Sequence, residues 1–255
     1  MTLKRIAVLF FCAAALAAAP PEPIRALIAT GWYDHSFLNA LPCLERLLAD
    51  SGRFEVTLTE SLTADDLASQ DVLVVLYNGP RWETATERAV DDFVRSGKGM
   101  VTIHGATYAF GGVEVRKVKY EKSGILEEPW AAFVQMIGCQ WTEENLGHGK
   151  RHQFPVRITD RNHPVTKGLP GKLMADDELY HKVTVLPHAK VLATAYSAPD
   201  TNGTGQDEEM MWVVEYGQGR VCHTTLGHDC EAMAAPAFRD LLLRGAEWAA
   251  TGQVK

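Results

Sequence analysis

The first hundred residues predict an α/β protein with a mainly parallel central sheet. Two observations carry this. Short apolar runs alternate with longer stretches of helical period, which implies β-α-β units with right-handed crossovers. The run DVLVVLYN (71–78) is apolar without interruption, as in a strand covered on both faces.

The elements follow in order. IRALIAT (24–30) is a short apolar strand that stops at Gly31. Phe37, Leu41, Leu44, Leu47 and Leu48 recur at helical spacing, and the pattern ends near Gly52. FEVTLTE alternates as a second strand and DVLVVLYN is the third. Residues 83–96 form a helix with Ala89, Val90, Phe93 and Val94 on one face, and Gly97 is placed to end it. GMVTIH is the fourth strand.

Residues 107–150 are irregular apart from a helical piece, EPWAAFVQMIG. With the loop TEENLGHGKRH they read as a lid or binding insertion. Strands are expected at 153–159, 190–195, 210–216 and 220–226. The last two flank Gly217-Gln218-Gly219, read as a three-residue hairpin turn. A helix from Pro236 to Ala250 closes the chain, with proline near its start.

Residues 1–19 read as an export signal. Lys4 and Arg5 precede an apolar stretch from Ile6 to Ala17, and Ala15, Ala17 and Ala18 offer cleavage positions. The stretch is shorter than the ~20 residues of a membrane span, so the mature chain is expected to be periplasmic or secreted, without stable membrane insertion. Residues 20–255 are long enough for a single domain with a well-buried core. Loss of Lys4 and Arg5 takes the formal charge from −7 to −9. That balance argues against nucleic acid, whose phosphates call for clustered Lys and Arg, and leaves neutral ligands such as sugars open.

Cys43, Cys139, Cys222 and Cys230 remain after export and allow three pairings. They lack the paired spacing of a structural zinc site. Cys43, on an amphipathic helix pattern, reads as a small core residue.

Ligands of open parallel sheets bind beyond the carboxyl ends of the strands. Three segments fall there: GWYDH with Trp32 and His35, NGPRW with Trp82, and HGA with His104. His228-Asp229 follow the last strand in the same way, and a carboxylate neighbour can orient an imidazole and raise its basicity. His35 reads equally as a residue at a helix start, with Ser36 as N-cap. The stretch ADDELYHK packs Asp176, Asp177, Glu178, Tyr180 and His181 together, either as a solvated acidic turn or as groups that bind hydroxyls or serve as acid and base. His148 and His152 stand four apart, but Gly147 and Gly149 disfavour the helix a metal pair would need. His163, His188 and His223 read as structural. Trp32, Trp82, Trp130 and Trp141 are candidates for stacking on sugar rings. No dinucleotide fingerprint, P-loop or G-x-S-x-G elbow is present.

GKGMVTIHGA, NHPVTKGLP, DELYHKVTVLP, VLATAYS, MMWVVEYGQGRVCHTTLGHD and PAFRDLLLRGAEWAA together resemble the ThuA-like (trehalose utilisation) family of the class I glutamine amidotransferase-like superfamily. The resemblance implies a flavodoxin-like three-layer α/β/α sandwich. It sets His104 at or beside the position of the amidotransferase nucleophilic cysteine, and His228 near its late histidine. An imidazole cannot form the thioester that glutamine hydrolysis needs, so that activity is not expected.

What the resemblance implies instead is carbohydrate metabolism on a disaccharide or 3-keto sugar, by acid–base or metal-assisted hydrolysis, elimination or isomerisation. The candidate catalytic residues are His35, His104, Glu178, Tyr180, His228 and Asp229. Trp32, Trp82, Trp141 and His148 are the candidate substrate contacts, and a divalent metal such as zinc is a candidate cofactor. A non-catalytic carbohydrate-binding protein on the same scaffold is the alternative.

Overall fold

The computed structural model describes residues 22–31, 37–110, 129–141 and 147–255. The expected signal segment, Trp32 and His35 lie outside them. The strands are β1 (Ile24–Ala29), β2 (Phe54–Thr59), β3 (Val72–Val75), β4 (Gly99–Ile103), β5 (Cys139–Gln140), β6 (His152–Ile158), β7 (Lys172–Asp177), β8 (Thr184–Val185), β9 (Lys190–Tyr196), β10 (Asp207–Tyr216) and β11 (Gly219–Thr224). The helices are α1 (Phe37–Asp50), α2 (Ala64–Leu67), α3 (Thr84–Arg95), α4 (Ala131–Ile137), α5 (Cys230–Ala234) and α6 (Pro236–Thr251).

Nine strands form one sheet in the order β2-β1-β3-β4-β11-β10-β9-β6-β7, and β5 pairs with β8 apart from it. The expectation of a mainly parallel sheet needs correction. The five strands from β2 to β11 are mutually parallel, whereas every pairing from β11 to β7 is antiparallel. The physical reason is connection length. Helices α1 and α3 carry the chain back for parallel pairing, while β10 and β11 are joined by a tight turn that allows only antiparallel pairing. That turn has two residues rather than three, because Tyr216 pairs with Gly219. Gly217 takes φ +62° at its first position, as a primed hairpin turn requires.

The apolar alternation within strands divides the interior in two. Ala26, Ile28, Val72, Val74, Val101 and Ile103 pack with Leu41, Leu44 and Leu48 of α1 and with Phe238, Leu241 and Leu242 of α6. Leu27, Ala29, Leu73, Val75 and Met100 pack with Val90, Phe93 and Val94 of α3 and with Phe133 and Met136 of α4. Strand β3 is buried along its whole length, which accounts for its uninterrupted apolar run.

Cys43 is not a lone core thiol. It forms a disulfide with Cys230 across a sequence separation of 187, tying α1 to the first residue of α5. Strand β7 was not legible as a strand, because its sequence KLMADD carries little apolar or β-branched character. It pairs along its whole length with β6 at the edge of the sheet. Among the described residues, no helix is long and apolar enough to cross a membrane.

Candidate functional site

Strand β4 is wholly buried and ends at His104, which opens a short 3₁₀ turn, His104–Tyr108. His104 is fully buried and takes φ +48°. A β-substituted residue in the left-handed region is strained, and such strain concentrates where a side chain must be held for function. The Thr107 hydroxyl donates to the His104 carbonyl at 2.5 Å and braces the turn.

Parallel pairing of β4 with β11 sets Ile103 opposite Thr224, so His104 comes to lie beside Thr225. The His104 Nδ1 sits 2.8 Å from the Thr225 carbonyl oxygen. A carbonyl only accepts, so Nδ1 carries the hydrogen, and in the neutral ring Nε2 presents its lone pair to the pocket.

Two groups converge on that lone pair. The Tyr180 hydroxyl lies 2.8 Å from His104 Nε2, and His228 Nδ1 lies 3.1 Å from it. Glu178 Oε2 stands 3.2 Å from the same His228 nitrogen. His148 flanks this group, its Nε2 3.8 Å from Glu178 Oε2. Its Nδ1 is directed at the Gly149 carbonyl at 2.8 Å.

Depth differs across the cluster. Tyr180 is buried with His104, whereas the side chains of His228 and Glu178 keep about a fifth of their surface open to solvent. Burial raises the Tyr180 hydroxyl well above its ordinary range, reinforced by the charges of Glu178 and Asp177 and a hydrogen bond with Tyr108. Tyr180 is therefore a neutral phenol that can donate. The Asn78 amide donates to the Tyr108 hydroxyl at 3.3 Å and extends the chain inward.

Strand β7 stands four places from β11 in the sheet, about 19 Å along a flat sheet. Yet Asp177 Oδ2 accepts the Gly227 N–H at 2.6 Å. Sheet curl and the excursion of the chain beyond β11 together close that gap. Asp177 also accepts the Glu178 N–H at 2.8 Å and a backbone hydrogen bond from His228. Burial nevertheless pushes its carboxyl up to about 7, against the pull of these amides. One buried side chain thus pins the backbone on both sides of the cluster. Gly227 turns the chain into His228 at φ +108°, and a Cβ there would stand 2.4 Å from the Phe238 ring.

The other sequence candidates are distributed as follows. Asp229 is the N-cap of α5 and accepts the Ala232 N–H at 2.9 Å. Its carboxylate also pairs with Arg151, which reaches Asp176 at 3.0 Å as well. Burial works against ionisation of Asp229, but Ala232 and Arg151 outweigh it and hold the carboxyl below its ordinary value. The carboxylate that faces His228 is therefore Glu178, not its sequence neighbour.

Trp141 is buried beneath Tyr180, with ring centroids 4.5 Å apart, and donates to the His181 carbonyl at 3.0 Å. Trp82 is half-buried and packs against Tyr77, Phe110 and Trp130. His152 lies on β6 and turns its Nδ1 to the Lys150 carbonyl, so it does not join His148. His163 packs on Trp248, His188 reaches the Gln135 carbonyl, and His223 is sealed between Thr102 and Thr107. Cys139 and Cys222 are buried, and burial raises both thiols far above the range of a nucleophile.

The sequence does not single out Tyr108, Thr225 or Arg151, and it marks Asp177 only as one of an acidic stretch. Tyr108 stands four residues beyond His104 and Asp177 lies in the acidic stretch already singled out, so both had a local signal. Thr225 and Arg151 act through contacts that no local pattern encodes.

The ThuA family, described as trehalose utilisation, matches residues 25–249. A ThuA-like protein from Parabacteroides merdae ATCC 43184 is 31% identical, with TM-score 0.77 over 92% of each chain. A ThuA-like protein from Bacteroides uniformis ATCC 8492 is 17% identical, with TM-score 0.67 over 94% of this chain and 98% of that one. A β-galactosidase from Rahnella sp. R3 shares the fold at 16% identity and TM-score 0.57, over 89% of this chain but only 31% of its own. No curated protein matches the chain.

Proposed function

The chain belongs to the trehalose utilisation (ThuA) family, and we propose that it acts on a 3-keto derivative of a disaccharide by proton transfer at the carbon beside the carbonyl. The observation that carries this reading is the position of His228 Nδ1, 3.1 Å from His104 Nε2 and 3.2 Å from Glu178 Oε2. A nitrogen between a lone pair and a carboxylate bears its hydrogen, which leaves His228 Nε2 as the basic nitrogen of the ring.

In the elimination, His228 Nε2 takes the proton from C2 of the 3-keto sugar. The electron pair of that C–H bond forms the C1–C2 double bond as the C1–O glycosidic bond breaks. The departing oxygen takes the proton back from the His228 imidazolium, which restores the base, and the products are an enone and a free alcohol. Glu178 stabilises the imidazolium formed on the way, and Tyr180 supplies a neutral donor beside it. Isomerisation uses the same first proton transfer and returns the proton to the neighbouring carbon. Glutamine hydrolysis is disfavoured, because both described free thiols are buried and burial raises them above the range of a nucleophile.

The chain is further proposed to be exported, with residues 1–19 as its signal and 20–255 as one flavodoxin-like domain of three layers. The Cys43–Cys230 disulfide supports an oxidising compartment. Helices packing with both sets of alternating strand residues support the layering.

Purified protein incubated with 3-keto disaccharides and with the parent disaccharides tests the activity. Release of the free sugar from the keto form alone, abolished in His228→Ala, is the expected result. Binding without product, or equal turnover by His228→Ala, would overturn it.

A further inference from the structure

We infer that His104 Nε2, His228 Nδ1 and a Glu178 carboxylate oxygen form a three-point site for one divalent transition-metal ion of the zinc class. The inference shares its site with the proposed function but not its tautomer: with an ion bound, His228 Nδ1 is the ligand and Nε2 carries the hydrogen, so the inference stands or falls on binding. The three ligand atoms lie within 4.8 Å of one another, and they come from three separate segments of the chain. A zinc ion about 2.0–2.1 Å from each nitrogen or oxygen sets neighbouring ligand atoms about 3.3 Å apart at tetrahedral angles. The measured separations are 3.1 Å between the two imidazole nitrogens and 3.2 Å between His228 and Glu178. The third separation, between His104 and Glu178, lies within 4.8 Å, so Glu178 closes on the ion by at most about 1.5 Å.

The surroundings fit as well as the spacing. The outer nitrogen of His104 is fixed on the Thr225 carbonyl, the second contact that metal-bound imidazoles ordinarily make. His104 Nε2 has one lone pair, claimed by both the Tyr180 hydroxyl and His228 Nδ1. Tyr180 also hydrogen-bonds with Tyr108, so its hydroxyl has a second partner when that lone pair turns to the ion. Two imidazoles and one carboxylate suit zinc and its first-row neighbours rather than calcium or magnesium, which prefer oxygen alone. Three protein ligands leave a coordination position for a substrate oxygen, and the partly open faces of His228 and Glu178 give access to it. An ion there would act as a Lewis acid on a carbonyl oxygen.

The test uses the full folded protein, stripped with a chelator and then titrated with Zn²⁺ and Co²⁺ in a calorimeter. The expected result is one equivalent of either ion. Co²⁺ should show visible bands of low coordination number that disappear when Zn²⁺ displaces it. Glu178→Gln keeps the size of a side chain with about a fifth of its surface exposed and is expected to fold. It should weaken binding by more than about 100-fold, exceeding the loss typical of an outer contact.

His228→Ala should do the same, with thermal melting of both apo variants checking the fold. Absence of stoichiometric binding in the parent protein would overturn the inference. Unchanged affinity in folded Glu178→Gln and His228→Ala would do so equally. Binding with these losses, but no turnover of any keto sugar, would leave the metal site standing and remove the proposed reaction. Turnover by metal-free protein that binds no ion would do the reverse.

Discussion

The Nε2 of His104 and the Nδ1 of His228 lie 3.1 Å apart, although 124 residues separate them in the chain. The contact follows from one strand pairing. Placing β11 beside β4 in parallel brings both carboxyl ends to the same edge, and the Thr225 carbonyl then sets the tautomer of His104. Coupled imidazoles of this kind act as a unit. His104→Asn and His228→Ala should each lower kcat/KM for a 3-keto sugar by about 10²–10⁴-fold, the usual span for loss of a general acid or base. The double variant should be little worse than the poorer single one. Steady-state kinetics on all three proteins check this, and multiplicative losses would contradict it.

Gly227 governs how His228 is presented. Gly227→Ala adds a Cβ 2.4 Å from the Phe238 ring and 2.9 Å from Ile103, at a φ that L-residues avoid. The variant should lose about 1–3 kcal/mol of stability and should lose activity in addition. Urea unfolding and kinetics at a temperature where it remains folded separate the two effects.

The Cys43–Cys230 bridge closes a long loop and lies two residues beyond His228. Its removal in the paired Cys43→Ser, Cys230→Ser protein should cost about 2–5 kcal/mol. Cys139 and Cys222 should resist alkylation in the native protein and react only after unfolding, since both are buried. Urea unfolding reads the first outcome, and mass spectrometry of native and denatured samples treated with iodoacetamide reads the second.

His223 should impose a pH dependence on stability. Burial lowers its imidazole to about 3, from an ordinary value near 6.5. Above pH 6.5 both the folded and unfolded forms are neutral there, and its contribution is complete. As pH falls from 6.5 toward 3, the unfolded chain takes up a proton that the folded one refuses. Stability should therefore decline by up to about 1.4 kcal/mol per pH unit over that window. His223→Gln should flatten this limb when urea unfolding is followed between pH 4 and 7.

Arg151 is tied to Asp229, which follows His228, and to Asp176, two residues before Glu178. Arg151→Met should leave Asp229 with its cap on α5 but remove its charged partner. The expected cost is about 1–2 kcal/mol, with a smaller loss of activity than His228→Ala. Thermal melting and kinetics check both, and equal losses of activity would place Arg151 in direct contact with substrate.

Much of this organisation is legible in the chain itself. The strand and helix periods of the first hundred residues place β1 to β4 and helices α1 and α3 within a few residues, because an apolar face repeats over short distances. The rule that parallel strands present function at their carboxyl ends points to His104 and His228 from sequence alone. The stretch holding Glu178 and Tyr180 is legible for its chemistry, but strand β7 that leads into it is not, since an edge strand of mixed polarity carries little periodic signal.

The remaining features depend on partners far away in sequence. The bridging of Cys43 to Cys230, the burial of Trp141 under Tyr180, and the diversion of Asp229 to Arg151 belong to this group. So does the approach of β7 to the turn after β11. Local pattern encodes which side of an element is apolar, because that needs only neighbouring residues. Which carboxylate meets which imidazole depends on sheet order, curl and the few buried hydrogen bonds that close the edge, and these exist only once the whole chain is packed.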